Sequence, residues 1–326
     1  MLFFCEKQEE NMHLIAKVKE FIENTEKSGA KPLYDLTPKQ ARKVLTSVQS
    51  FPATAPDTDV ETRYVDVNGT QIAVKIHRPK GIKEKLPTVF YIHGGGWVLG
   101  DDTTHDRLVR ELAAGIPAAV VFPVYTPSPE AAFPQPTDEL FAVLKDVVSH
   151  ADELRLDAAR LAVAGDSVGG NMAIAMALKA KKEGAPKIGF QLLIYPVTDA
   201  AMETESYRCF ENGPWLTKKA MAWFWKLYAP NKDDRASILS SPLNASTEQL
   251  KDLPPALVIT AENDVLRDEG EAFARKLNDA GVKTTSVRFN GTIHDFMMLN
   301  PIAQSAATRD AVLLATAKLR DVFKIG

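Results

Sequence analysis

Two short segments of this chain carry residue types that act together in nucleophilic chemistry. One is Gly165-Asp166-Ser167-Val168-Gly169-Gly170, a Gly-x-Ser-x-Gly pattern. The other is His93-Gly94-Gly95-Gly96-Trp97. A serine that attacks a carbonyl carbon needs a turn that presents its oxygen. It also needs backbone N–H donors where the negative oxygen develops. The first segment offers the serine, and the second offers unhindered N–H groups. At average glycine and serine usage, the serine pattern arises by accident in roughly one chain of this length in ten. His-Gly-Gly-Gly arises by accident in only about a few chains per thousand. Their joint occurrence, in this order, is the informative observation.

The serine sits in a strand–turn–helix context. Arg160 to Ala164 is an apolar run of strand length, and Asn171 to Leu178 reads as a buried helix rich in Ala, Leu and Met. Gly165 and Gly169 would give the clearance that a strained turn with a helix packed behind it requires. Ser167 would then stand at a helix N-terminus, whose N–H groups favour developing negative charge.

A serine hydroxyl needs a base to take its proton. The chain has six histidines. His13 lies on an amphipathic helix, His77 ends a strand, His150 ends a helix and His105 precedes one. His93 belongs to the glycine motif and shapes that loop. His294, in the loop after the last strand, is the base by elimination. An acid must fix the tautomer of that base. The candidates follow the strand Ala256–Ala261. They are Glu262, Asp264 in mid-loop, and Asp268, which reads as the cap of the next helix. Asp264 is the choice, and the chain order becomes Ser167, Asp264, His294.

The rest of the chain must position these groups. Residues 11 to 49 read as two helices, the second starting at Thr37-Pro38. Thr62 to Val67 and Gln71 to Ile76 form a hairpin around Asn68-Gly69. Strands then alternate with helices. Strands are predicted at Pro87 to Ile92, Ala118 to Val124, Phe190 to Tyr195, Ala256 to Ala261 and Thr284 to Phe289. Helices are predicted at Asp106 to Ala114, Thr137 to Val148, Asp268 to Ala280 and Gln304 to Phe323. This α/β rhythm implies a mostly parallel central sheet flanked by helices, with catalytic groups at the carboxyl ends of the strands. Between Tyr195 and Ala256 the rhythm breaks. That stretch holds Phe210, Trp215 and a helix from Ala220 to Tyr228 rich in Trp, Phe and Tyr. A long excursion at strand ends reads as a helical cap. Its aromatics are either the core of the cap or a lining for acyl chains. Trp97, Phe210 and Trp215 are the candidates for contact with substrate.

Composition narrows the class. The chain has 326 residues, 45% hydrophobic and 25% charged, with a net charge of −3. That suits one large globular core and leaves no basic footprint for nucleic acid. Two cysteines, Cys5 and Cys209, make neither a disulfide framework nor a metal site. Met1 to Cys5 is too short for a signal-peptide core, and no apolar run reaches membrane-spanning length. The expectation is a cytoplasmic protein without a membrane partner.

These motifs resemble the hormone-sensitive-lipase-like family of α/β-hydrolases, which includes bacterial carboxylesterases and acetyl esterases. The resemblance covers roughly residues 60 to 323. It rests on His93 to Trp97, on Gly165 to Asn171, on Asp264 to Gly270, which resembles the family's acid motif, and on His294-Asp295-Phe296. It implies an α/β-hydrolase fold as a single domain over residues 1–326. A cap from about 1–50 and 199–250 goes with it. It implies that Gly95, Gly96 and Val168 donate the oxyanion-hole N–H groups. It allows a homodimer through the last strand and helix. In one place the chain departs from the pattern. Tyr125-Thr126-Pro127-Ser128-Pro129-Glu130 stands where the family commonly shows Tyr-Arg-Leu-Ala-Pro-Glu, and the absent Arg implies a different anchoring of that loop.

The function expected is two-step hydrolysis of small carboxylic esters with short to medium acyl chains, through an acyl-enzyme on Ser167. It calls for no metal or organic cofactor. Activity should rise with pH as His294 loses its proton. An amidase or aryl-acylamidase would use the same triad. A non-catalytic small-molecule receptor on the same fold typically lacks the base, which this chain has.

Overall fold

The computed structural model describes residues 12–326. Cys5 and the first eleven residues of the expected cap lie outside the described residues. Two helices come first, α1 (Ala16–Lys27) and α2 (Pro38–Gln49). The hairpin strands β1 (Thr58–Val67) and β2 (Thr70–Pro79) follow. Then come β3 (Leu86–Ile92), α3 (Asp106–Gly115), β4 (Ala119–Val124), α4 (Gln135–Ser149), β5 (Leu156–Asp166), α5 (Val168–Glu183) and β6 (Phe190–Ile194). Four short helices occupy the next stretch: α6 (Glu205–Cys209), α7 (Lys218–Tyr228), α8 (Lys232–Ala236) and α9 (Thr247–Leu250). The chain closes with β7 (Ala256–Asn263), α10 (Arg267–Asp279), β8 (Thr284–Ile293) and α11 (Ala306–Phe323). Cys209, at the end of α6, is buried and is not a free thiol.

The strands form one eight-stranded sheet in the order β1-β2-β4-β3-β5-β6-β7-β8. β1 and β2 pair antiparallel, as do β2 and β4, and every other pairing is parallel. Every residue of β3 and β6 is buried, as strands covered on both faces by helices require. This is the α/β-hydrolase fold. The hairpin turns at Asn68 (φ 53°) and Gly69 (φ 87°), the left-handed pair that matches strand twist in a two-residue loop. Among the described residues no helix is long and apolar enough to cross a membrane.

Local chemistry explains why α2 starts where it does. Thr37 accepts from the Gln40 backbone N–H at 3.3 Å, and the Gln40 side chain accepts from the Thr37 N–H at 3.0 Å. This capping box satisfies two end groups of the helix, and Pro38 fits the first position because it has no N–H to lose. The aromatic helix α7 packs inward. Trp97 has no exposed surface and stacks on Tyr228 at 4.0 Å between ring centroids, with Trp225 at 4.6 Å.

Candidate active site

The carboxyl ends of β5, β7 and β8 bring Ser167, Asp264 and His294 together, although they lie far apart in the chain. Ser167 occupies the turn between β5 and α5, with φ 55° and ψ −120°. A non-glycine residue there is strained by about 1–3 kcal/mol and persists only if its surroundings dictate it. They do so by crowding and by hydrogen bonding. A Cβ on Gly165 would overlap the Gly169 backbone, and a Cβ on Gly169 would overlap the Ile92 carbonyl at the end of β3. The Ser167 N–H donates to Ile194 O at 2.8 Å, and its carbonyl accepts from Val197 N and Asn171 N, both at 3.1 Å.

His294 Nε2 lies 2.9 Å from Ser167 Oγ, and His294 Nδ1 lies 2.7 Å from Asp264 Oδ2. The second oxygen of Asp264 accepts from the Leu266 N–H at 2.9 Å, which fixes the carboxylate plane. The other two acidic candidates are occupied elsewhere. Glu262 accepts from Gly291 N at 2.6 Å, and Asp268 accepts from Ser206 N at 2.7 Å and Arg267 Nε at 2.8 Å. The expectation that Asp268 caps its helix is corrected. Leu266 holds the cap position and Asp268 lies inside the first turn, because the Asp264 carboxylate already serves the Leu266 N–H.

All three triad side chains are buried. Burial alone would lower the pKa of His294, but the Asp264 and Asp295 charges and the Asp264 hydrogen bond outweigh it and hold the imidazole up at about 9. Asp295 entered the sequence reading only as part of the His294-Asp295-Phe296 motif, and its contact with the base was missed. It has φ 63°, its Oδ1 lies 3.3 Å from His294 Nε2, and its Oδ2 accepts from the Trp215 indole at 2.9 Å. Burial pushes its carboxyl up, against the pull of His294. Tyr195 was also missed. Its ring packs edge-on to His294 at 4.8 Å between centroids. No motif marks Tyr195, and none assigns Asp295 this contact. Only the packing of neighbouring loops reveals them.

The glycine segment lies beside the elbow. Asp166, fully buried, accepts from Tyr91 OH at 2.7 Å and from Gly94 N at 3.0 Å. Its other oxygen faces His105 Nε2 at 3.2 Å. Burial opposes charge on both partners, but the mutual attraction prevails, raising His105 and lowering Asp166. His93 takes a shaping role. Its Nδ1 lies 2.8 Å from Gly94 O, its ring stacks on Tyr125 at 4.3 Å, and burial drives its pKa down to about 4. Gly95 (φ 105°) and Gly96 (φ 64°) adopt conformations that L-residues avoid. Their N–H groups donate to nothing among the described residues. The Tyr125–Glu130 loop is anchored by Arg42 of α2, which donates to Ser128 O at 3.0 Å and to both Glu130 oxygens.

The three aromatic candidates separate. Trp97 is enclosed by Tyr228 and Trp225, which gives it a packing role between the glycine turn and α7. Phe210 is buried with the Arg267 guanidinium 5.4 Å from its ring centre. Trp215 is partly exposed and lies 5.2 Å from Phe21 of α1. Both line a groove of about 640 Å³ with Val44, Val48 and Phe51.

Comparison with known proteins agrees with this fold. Residues 89–298 match the model of a family described as having the α/β-hydrolase fold. A thermostable esterase from Pseudomonas putida ECU1011 superposes with a TM-score of 0.94 at 48% identity, covering 96% of this chain and 99% of that one. A protein of Acanthamoeba polyphaga mimivirus described as α/β hydrolase R526 is 45% identical over 90% of this chain and 83% of its own length. The carboxylesterase NlhH of Mycobacterium tuberculosis is 36% identical over 85% of this chain and 88% of its own length. The chain belongs to the hormone-sensitive-lipase-like family of α/β-hydrolases.

Proposed function

We propose that this carboxylic ester hydrolase works through a triad of Ser167, His294 and Asp264. The unbroken hydrogen-bond chain from Asp264 Oδ2 through both imidazole nitrogens to Ser167 Oγ carries the assignment. Ser167 attacks the ester carbonyl while His294 takes its proton, and Asp264 holds the imidazole in the tautomer that can accept it. The tetrahedral oxyanion is held by the N–H groups of Gly95, Gly96 and Val168. The first two have no other acceptor among the described residues, and Val168 is the first residue of a helix, where N–H groups lack intrahelical partners. His294 then protonates the leaving alcohol. Water, deprotonated by the same imidazole, releases the acyl group from Ser167.

Segments 12–50 and 199–250 form the cap in this reading, with Trp215 on the substrate side and Trp97 and Phe210 packed behind the site. The substrate is a small ester of a short to medium acyl chain. Among the described residues β8 has no neighbouring strand on its outer edge, which supports pairing of two copies there. A doubled mass in solution light scattering would bear that out.

Initial rates on p-nitrophenyl esters from acetate to palmitate test the substrate class. A maximum at short to medium chains is expected. Turnover of amides with none of esters would overturn it.

A further inference from the structure

The Gly95–Leu99 turn is held by its carbonyls. Gly95 O accepts from Leu99 N at 2.8 Å and Val98 N at 3.2 Å, and Trp97 O accepts from Ser128 N at 2.7 Å. Val98 O accepts from Arg42 Nε at 2.8 Å. The same guanidinium donates through Nη2 to Ser128 O at 3.0 Å, and through Nη1 and Nη2 to the two Glu130 oxygens at 2.8 and 2.6 Å. One side chain of α2 therefore spans the glycine turn and the loop that supports it. Ser128 closes the circuit, because its N–H holds Trp97 O while its carbonyl is held by Arg42.

We propose that Arg42 is a positioning residue for the oxyanion hole. Its fork locks the Gly95–Leu99 turn against the Ser128–Glu130 loop and ties the placement of the Gly95 and Gly96 N–H groups to helix α2. The inference rests on the oxyanion role given to those groups above. Oxyanion stabilisation depends on donors already in place when charge develops, so a turn freed to relax by a few tenths of an ångström loses transition-state binding more than substrate binding. Only a planar, five-donor guanidinium reaches two carbonyls and a carboxylate at once. A lysine ammonium is a single point with no fork. Glu130 faces solvent more than Arg42 does. Its part is to orient the guanidinium, while the two carbonyl contacts hold the turn.

The test compares Arg42→Gln, Arg42→Lys and Glu130→Gln with the unaltered enzyme, on the p-nitrophenyl ester it hydrolyses fastest. Thermal unfolding is followed in parallel. Both Arg42 variants are expected to lose kcat by roughly ten- to a hundredfold, with KM within about twofold. Glu130→Gln is expected to lose only about two- to fivefold, since the carbonyl contacts of Arg42 remain. A trifluoromethyl ketone, whose adduct with Ser167 carries an oxyanion, should lose affinity in proportion to kcat. Unchanged kcat and ketone affinity with only a lower melting temperature would overturn the proposal, leaving Arg42 a structural tie. Full kcat in Arg42→Lys would overturn it too, because charge without the fork would suffice. If the unaltered enzyme turned over no ester, the oxyanion role itself would fall, and this proposal with it. An active enzyme with indifferent Arg42 variants would remove this proposal alone.

Discussion

The serine elbow and the glycine turn are neighbours that hold unusual backbone in place by different means. The elbow is held mainly by local steric exclusion. Gly165 and Gly169 lie within two residues of Ser167 and leave no room for side chains against each other or against Ile92. The glycine turn is held by reach. Asp166, Ser128 and Arg42 grip it from 72, 31 and 56 residues away, counted from Gly94, Trp97 and Val98 respectively. A strained turn that must hold one atom still is secured by volume. A run of glycines that must leave the Gly95 and Gly96 N–H groups free has no side chains to pack and is secured through the Gly94 N–H and the carbonyls of Trp97 and Val98.

The largest effect expected is at the elbow. Ser167→Ala should lower kcat by about 10⁴-fold or more in steady-state assays, because the triad acts as a unit. Residual activity near that of the unaltered enzyme would place the nucleophile elsewhere. Next come the glycines. Gly169→Ala sets a Cβ against the Ile92 carbonyl, which is backbone and cannot swing away. It should lower the melting temperature severely or abolish folded expression. Gly184→Ala has only its φ of 75° against it, with nothing within 4 Å, and should cost about 1 kcal/mol. Equal losses in the two variants would break the claim that volume secures the elbow.

A smaller effect is expected beside the base. With His294 held at about 9 by the Asp264 and Asp295 charges, kcat/KM should rise with pH through the alkaline range as the imidazole gives up its proton. Asp295→Asn removes one charge that favours the protonated form. The inflection should move to lower pH, and the fraction of enzyme active at neutral pH should rise. An unmoved inflection would contradict the electrostatic reading of Asp295.

The smallest effect concerns stability. Burial lowers His77 from 6.5 to about 4. Between those values the unfolded chain binds the proton that the folded chain refuses, so stability falls as pH falls through this window. The contribution is at most about 3 kcal/mol. His93 titrates in the same window. His77→Gln should flatten part of the acid slope in a melting-temperature series and leave turnover unchanged. An unaltered slope would remove His77 from that account.

Much of the site was legible because its constraints are local. The alternation of strands and helices gave the sheet, and the glycines around Ser167 and the loop after β8 pointed to the residues that meet there. The ends of elements were less legible. β8 runs on to Ile293 rather than stopping at Phe289, because register with β7 carries it past the apolar pattern, to Ile293 opposite Asn263. What could not be read were contacts between distant elements. Thr126 was noticed as an absent arginine, but nothing in the sequence says that Arg42 anchors that loop from another helix. Trp97 was named as a candidate substrate contact, and it is buried because α7, more than a hundred residues later, lays Tyr228 on its face.

The central claim is that Ser167 carries the acyl group. It is tested most directly by rapid quenching with p-nitrophenyl acetate, followed by intact-mass and peptide mapping. The account predicts a burst of p-nitrophenol and the mass of one added acetyl group on the peptide containing Ser167, with neither in Ser167→Ala. Acetyl on another residue, or the same burst from Ser167→Ala, would contradict it.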